Sequence, residues 1–193
     1  MSIYPTTRRL PLQFDVARLQ HDAAQFAPAQ WQKHFNTHVY DGDWSGVALR
    51  MLPDATIPLF PDPTSKQAFV DAPAMQQTTY VPNVLRTLHC QVNSARFLKL
   101  AAGSSIKRHR DYQLGIEDGE VRLHVPVKTN ERVEFYMDDV VVPMAAGELW
   151  FLNFNHYHSV LNRGDEDRIH LVLDCVVNDW LLSFLTMPSH PGG

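Results

Sequence analysis

Beyond residue 94 the chain is written almost entirely in short strand-like segments: Arg96 to Leu100, Ile106 to Arg110, Val121 to Val127, Val133 to Met137, Glu148 to Phe154, Tyr157 to Leu161 and Arg168 to Val177. In Val121-Arg122-Leu123-His124-Val125-Pro126-Val127 every second residue is aliphatic. That is the period of a strand, not of a helix. Gly103, Gly119, Asn130, Gly147 and Gly164 separate the segments as turn formers. Short strands at such spacing predict a closed barrel or jelly roll.

The first half reads differently. Val16, Leu19, Ala23 and Phe26 recur at helical spacing behind Asp15, a plausible N-cap. Val47, Leu49 and Met51 alternate as a strand. Pro53, Pro58, Pro61 and Pro63 make residues 53–64 a loop, because proline is excluded from helix interiors and central strands. Pro82, with Val81, Leu85 and Leu88, opens a short helix that ends near Cys90. Trp180, Leu181, Leu182, Phe184 and Leu185 read as an apolar tail. The expected fold is mainly β with flanking helices, a closed barrel or jelly roll. At 193 residues we expect one domain, with residues 1–93 as helical and strand support that also shapes a pocket and residues 94–178 as the barrel core.

Charge and cysteine usage exclude several function classes. A net charge of −4 with no basic run lacks the footprint that neutralises phosphates, so no nucleic-acid partner is expected. No apolar run approaches a membrane span. Arg8 and Arg9 are followed by a segment too polar for a signal-peptide core. Cys90 and Cys175, both in apolar stretches, read as buried free thiols of a reducing cytoplasm. Oligomeric state is not legible.

Chemistry concentrates in His109-Arg110-Asp111. Residues two apart on an extended chain share a face, so His109 and Asp111 can aim at one point inside the barrel. A His-x-Asp tripeptide arises by chance and means little alone; it gains force from His158 at the start of a later strand and from Arg168 beyond it. Two imidazoles and a carboxylate on one face of a metal leave open positions, which suits iron(II) that binds a cosubstrate and dioxygen. Arg168 lies in an otherwise apolar strand. A buried guanidinium needs an anion, and its fork matches a carboxylate such as a cosubstrate's. Arg122 and His124 share a face opposite Val121, Leu123 and Val125, and the sequence leaves open whether that face is the barrel interior or an outer polar surface.

The remaining candidates are weaker. His156 sits two residues before His158, and His170 shares a face with Arg168. His21, His34, His38, His89 and His190 read as surface or packing residues, and Trp150 and Phe151 as barrel wall. Arg50 and Arg110 are open as substrate contacts.

These residues resemble the aspartyl/asparaginyl β-hydroxylase family, which includes bacterial proline hydroxylases. The matching segments are Arg96-Phe97-Leu98-Lys99-Leu100 with Gly103 and Ile106, His109-Arg110-Asp111, and Arg122-Leu123-His124-Val125-Pro126-Val127. Further matches are Gly147-Glu148-Leu149-Trp150-Phe151, His158-Ser159-Val160-Leu161-Asn162, and Asp167-Arg168-Ile169-His170-Leu171-Val172-Leu173-Asp174. They run in order over roughly residues 80–178, and residues 1–79 carry no matching motif. The resemblance implies a double-stranded β-helix, iron(II), and oxidation coupled to decarboxylation of 2-oxoglutarate. By position, His109, Asp111 and His158 resemble the metal ligands, Arg168 the clamp on the cosubstrate's distal carboxylate, and Arg122 the arginine near its other end. His124 falls near cosubstrate or substrate. Animal peptide-hydroxylating members lack the carboxylate ligand, whereas Asp111 is present here, as in the proline hydroxylases.

The expectation is therefore an iron(II)- and 2-oxoglutarate-dependent dioxygenase that uses dioxygen to hydroxylate an unactivated carbon of an amino acid or another small carboxylate-bearing molecule. A peptide or protein β-hydroxylase is the first alternative. The second is a cupin-like metal-binding protein without oxygen chemistry, which would have no need of Arg168.

Overall fold

The alternating segments become strands of two facing antiparallel sheets. In a computed structural model that describes residues 4–62 and 65–186, the strands are β1 (Thr7–Gln13), β2 (Gln32–Lys33), β3 (Tyr40–Asp41), β4 (Trp44–Met51), β5 (Val70–Asp71), β6 (Val92–Leu100), β7 (Ser105–His109), β8 (Glu120–Lys128), β9 (Val133–Met137), β10 (Val140–Val141), β11 (Glu148–Leu152), β12 (His158–Asn162) and β13 (Arg168–Val176). The α-helices are α1 (Val16–Ala24), α2 (Val81–Thr87) and α3 (Asp179–Leu185). Pro63 and His190 lie outside the described residues. The larger sheet runs β1-β11-β8-β13-β6-β4-β2, with β5 on β4, and the smaller runs β10-β9-β12-β7-β3. This is the jelly roll expected from the turn spacing and the double-stranded β-helix that the resemblance implies.

Alternation along β8 and β13 decides which face sees what. Val121, Leu123, Val125, Leu171, Leu173 and Cys175 are fully buried and pack with Leu19 of α1, Val81 of α2 and Leu181 of α3, so the aliphatic face of the larger sheet is covered by helices. Full burial of each such side chain contributes roughly 1.5–3 kcal/mol. A second core lies between the sheets, where Leu98, Leu100 and Val172 meet Ile106, Phe135, Met137 and Val160. The face that carries Arg122, His124, Arg168, His170 and Asp174 consequently points into the barrel. The question the sequence left open for Arg122 and His124 is resolved in favour of the interior.

Caps and turns hold the helices against the sheet. Asp15 caps α1 by accepting from Arg18 N at 3.1 Å. Asp22, fully buried at the far end of α1, accepts from Thr79 N (2.8 Å), Thr79 Oγ1 (3.0 Å), Tyr80 N (2.8 Å) and Val81 N (2.8 Å), and thereby satisfies the free amides at the start of α2. Gly147 turns the chain into β11 with φ +81°, where a Cβ would lie 2.6 Å from the Phe14 carbonyl.

Two elements differ from the sequence reading. Thr7–Gln13 forms β1 by pairing with β11, and as the end strand of its sheet it tolerates Pro11. The apolar tail is helix α3, capped by Asn178, whose side chain accepts from Leu181 N at 3.1 Å. Cys90 and Cys175 are free thiols, as expected. Among the described residues no helix is long and apolar enough to cross a membrane.

Candidate metal centre

β7 and β12 pair so that His109 stands directly opposite His158. The next pair in the ladder is Ile106 with Val160, three residues back on one strand and two on the other. That irregularity is a bulge, which turns His109 to the same interior side as Ile106. Asp111 follows just beyond the strand, fixed by its amide on the Phe154 carbonyl at 2.9 Å. His109, Asp111 and His158 each offer a ligand atom, and these atoms lie within 4.8 Å of one another. His109 Nε2 is 3.8 Å from Asp111 Oδ1. His109 Nδ1 donates to the Lys107 carbonyl at 2.7 Å and His158 Nδ1 to the His156 carbonyl at 3.2 Å, an assignment that leaves both Nε2 lone pairs for an ion. Burial, aided by His109 and Arg122 and opposed by Asp111, pushes the His158 pKa down to about 4. The ring is thus neutral at neutral pH, the form that binds a metal.

A charged ladder behind the triad orients its carboxylate. Arg122 Nη1 donates to Asp111 Oδ2 at 2.8 Å, which leaves Oδ1 on the side of the histidines. The same guanidinium grips Asp174 directly across the β8–β13 ladder, through Nε to Oδ1 at 2.6 Å and Nη2 to Oδ2 at 3.1 Å. Arg96 on β6 closes the network with Nη1 on Asp174 Oδ2 at 2.9 Å, and also donates to Ser94 Oγ. Burial would raise the Asp174 carboxyl, but Arg122 and Arg96 hold it below its ordinary value; burial would likewise depress Arg122, yet Asp174 and Asp111 keep it above the usual arginine value. Arg96 and Asp174 had no role in the sequence reading. Each is a charged residue in an apolar strand, which signals a needed partner, but the pairing depends on cross-strand register.

Arg168 sits on the other side of the barrel interior. It lines a cavity of about 390 Å³ together with His170, Phe135, Val142 and Met144. Only 2% exposed, it has no partner at Nε, and among the described residues no carboxylate pairs with it. Burial alone lowers its pKa to about 9. Among the described residues its one hydrogen-bond contact is Nη2 to His170 Nδ1 at 2.8 Å. Since a guanidinium only donates, His170 Nδ1 accepts. His124 Nδ1, 3.1 Å from the same atom, then carries its proton inward and leaves Nε2 as a buried acceptor without a partner. His124 stacks on Phe154 at 5.2 Å, and Phe154 meets His158 edge-on at 4.5 Å, so a continuous chain of contacts links Arg168 to the triad.

The metal side opens into a second cavity of about 410 Å³ that carries His109, Asp111, Arg96, Arg110 and Arg122. His34, read from the sequence as surface or packing, lines it and stacks on Trp44 with 3.5 Å between ring centres. Arg50 is not in its lining: it is bound to Asp71 at 2.7 Å and to the Val92 and Phe69 carbonyls at 2.8 and 2.9 Å. His156 turns to Asp138, 2.6 Å away, instead of joining the triad.

A family model described as Aspartyl/Asparaginyl beta-hydroxylase matches residues 12–177. The chain belongs to that family. The match takes in α1 and β4, so membership of the β-hydroxylase family extends well upstream of the motifs from which the resemblance was read. An L-proline cis-4-hydroxylase of Rhizobium meliloti (strain 1021) is 25% identical over 191 residues, which cover 93% of this chain and 64% of that protein. The chain thus spans less than two thirds of that relative's length. Two solved structures share the fold: SnoK, a non-heme alpha ketoglutarate dependent carbocyclase from nogalamycin biosynthesis (TM-score 0.57, 13% identity, 97% of this chain and 89% of that one), and a 2OG-Fe(II) oxygenase family oxidoreductase from Burkholderia pseudomallei (0.55, 14%, 89% and 85%). In this β-hydroxylase family chain, the donor set of two imidazoles and an oriented carboxylate, with a buried guanidinium that has no carboxylate partner among the described residues, fits a divalent iron and a dicarboxylate.

Proposed function

We propose that this protein is an iron(II)- and 2-oxoglutarate-dependent dioxygenase that hydroxylates an unactivated carbon of an amino acid or similar small carboxylate-bearing substrate. The observation that carries the reading is Arg168: a fully buried cation without a carboxylate partner among the described residues, at the end of a cavity linked through His124 and Phe154 to a His-Asp-His set. A metal-binding cupin without oxygen chemistry gains nothing from that unpaired charge, which is costly to keep buried.

The roles follow from the contacts. His109, Asp111 and His158 hold the metal, with Arg122 keeping Asp111 turned toward it. Arg168 would hold the far carboxylate of 2-oxoglutarate, and His170 fixes the arginine's orientation, itself held by His124 through the shared nitrogen contact. Iron(II) and 2-oxoglutarate, when bound, supply an oxidant from dioxygen by decarboxylating the keto acid to succinate, and this oxidant places a hydroxyl on carbon. Leu98 lines the metal-side cavity and Phe154 packs on His158, so both would limit water there, while Arg110, without a carboxylate partner among the described residues, offers the substrate's carboxylate a cation. The proline hydroxylase relative supports an amino-acid substrate, as does Asp111.

Oxygen uptake and succinate release with iron(II) and 2-oxoglutarate, against a panel of free amino acids and short peptides, test the proposal. A sixteen-dalton gain on a free amino acid is expected. Gain confined to peptides would favour the peptide β-hydroxylase reading, and no stimulation by any member of either set would contradict both.

A further inference from the structure

The metal-side cavity has two chemically distinct poles. At one, Arg96 and Arg122 are paired with Asp174 and Asp111 while Arg110 has no carboxylate partner among the described residues; at the other, Phe35, Trp44, Leu59 and Phe60 of the N-terminal half form a wall. That wall is an ordered aromatic stack: His34 lies on Trp44 at 3.5 Å with 12° between planes, Phe35 lies on His34 at 4.4 Å, and Phe60 meets Phe35 edge-on at 5.2 Å. Burial, with Arg96, Arg122 and His109 adding to it, keeps His34 uncharged, so the stack carries no charge at neutral pH. Yet Phe35 and Phe60 are each 41% exposed. Two large aromatics held in place but uncovered, at the mouth of a cavity, fit a ligand surface better than a core.

Volume points the same way. The cavity measures about 410 Å³, within the ~300–1,000 Å³ that buries a drug-sized ligand and more than a single five-membered ring requires. Arg168 belongs to the other cavity, so the far half of the cosubstrate makes no demand on this space.

We infer that the substrate is an amino-acid carboxylate whose apolar body is larger than a proline ring, seated on the His34–Phe35–Phe60 wall with its carboxylate toward Arg110. This rests on the oxygenase reading above and narrows its substrate class.

Full-length protein loaded with iron(II) and saturated with 2-oxoglutarate is assayed with proline, leucine and phenylalanine. The larger acids are expected to exceed proline in kcat/KM by about tenfold or more, since each further buried apolar group is worth roughly 10–200-fold in discrimination. Phe35→Ala and Phe60→Ala should reduce the phenylalanine-to-proline ratio at least about fivefold, mainly through KM, with partial recovery in Phe35→Leu. Calorimetric binding of the same acids to the metal-loaded protein separates this inference from the reading beneath it. If none of the three is turned over, the oxygenase reading is judged by the wider panel of amino acids and peptides, while phenylalanine binding more tightly than proline, and losing that advantage in Phe35→Ala, still upholds the wall. Proline preferred, or ratios and affinities that ignore both alanine changes, overturns it.

Discussion

Arg168 shows how a single residue can be read from both directions. In the sequence it is a cation within an apolar strand; in the structure it is a buried guanidinium whose polar partner is a neutral imidazole, His170. The buried charge was legible as a cation in an apolar strand, and the structure groups the candidates His109, Asp111 and His158, although a bulge rather than plain strand alternation turns His109 inward. Asp174 and Arg96 were not, since what makes them matter is a ladder that sets Asp174 across from Arg122, 52 positions earlier in the chain. His34 was missed for a similar reason: its importance comes from where Trp44 and the triad lie in space. Arg168→Ala is expected to raise the half-saturating 2-oxoglutarate concentration roughly tenfold to a hundredfold, because a charge-assisted contact contributes on the order of 1.5–3 kcal/mol. Arg168→Lys should recover part of it. Titration of cosubstrate in a succinate-release assay checks this, and unchanged half-saturation in both variants would remove the arginine from the site.

Among the elements, the strands of the second half follow their expected positions because two-residue alternation is a strong local signal. β1 and α3 were not foreseen because each draws its state from tertiary partners: β1 from β11, and α3 from burial of Leu181 and Leu185 against the helix-side core. Two changes probe how elements are joined. Asp22→Ala strips four hydrogen bonds from the start of α2 and is expected to cost about 3 kcal/mol or more, read as a lower urea midpoint at unchanged slope. Asp174→Asn leaves Arg96 and Arg122 short of their buried partner, with an expected loss of roughly 3–5 kcal/mol at neutral pH. Its pH signature has a definite sign. The folded Asp174 carboxyl lies below its ordinary value, so the unfolded chain takes up the proton first; the stabilisation is complete above about pH 3.9 and is lost as pH falls from there toward the folded value. Urea midpoints of Asp174→Asn should therefore decline less steeply than those of the unchanged protein below about pH 4. Parallel acid limbs would contradict the pairing.

At the scale of the whole molecule, the two faces of the larger sheet divide the labour: helices seal the aliphatic face, which frees the polar face to line the barrel. One cavity then presents Arg168 and the other His109 and Asp111 with the aromatic wall, linked by the contacts of His124, Phe154 and His158. The central claim is that a metal held by His109, Asp111 and His158 and a dicarboxylate held by Arg168 occupy this interior together. The most direct measurement is anaerobic titration with iron(II) and then 2-oxoglutarate, followed by the weak visible charge-transfer absorption of a keto acid chelated to iron(II). The band is expected to saturate at one iron per chain, to be lost in His109→Ala and His158→Ala, and to need a higher 2-oxoglutarate concentration in Arg168→Ala. No band in the unchanged protein, or an undiminished band in both histidine variants, would contradict the account.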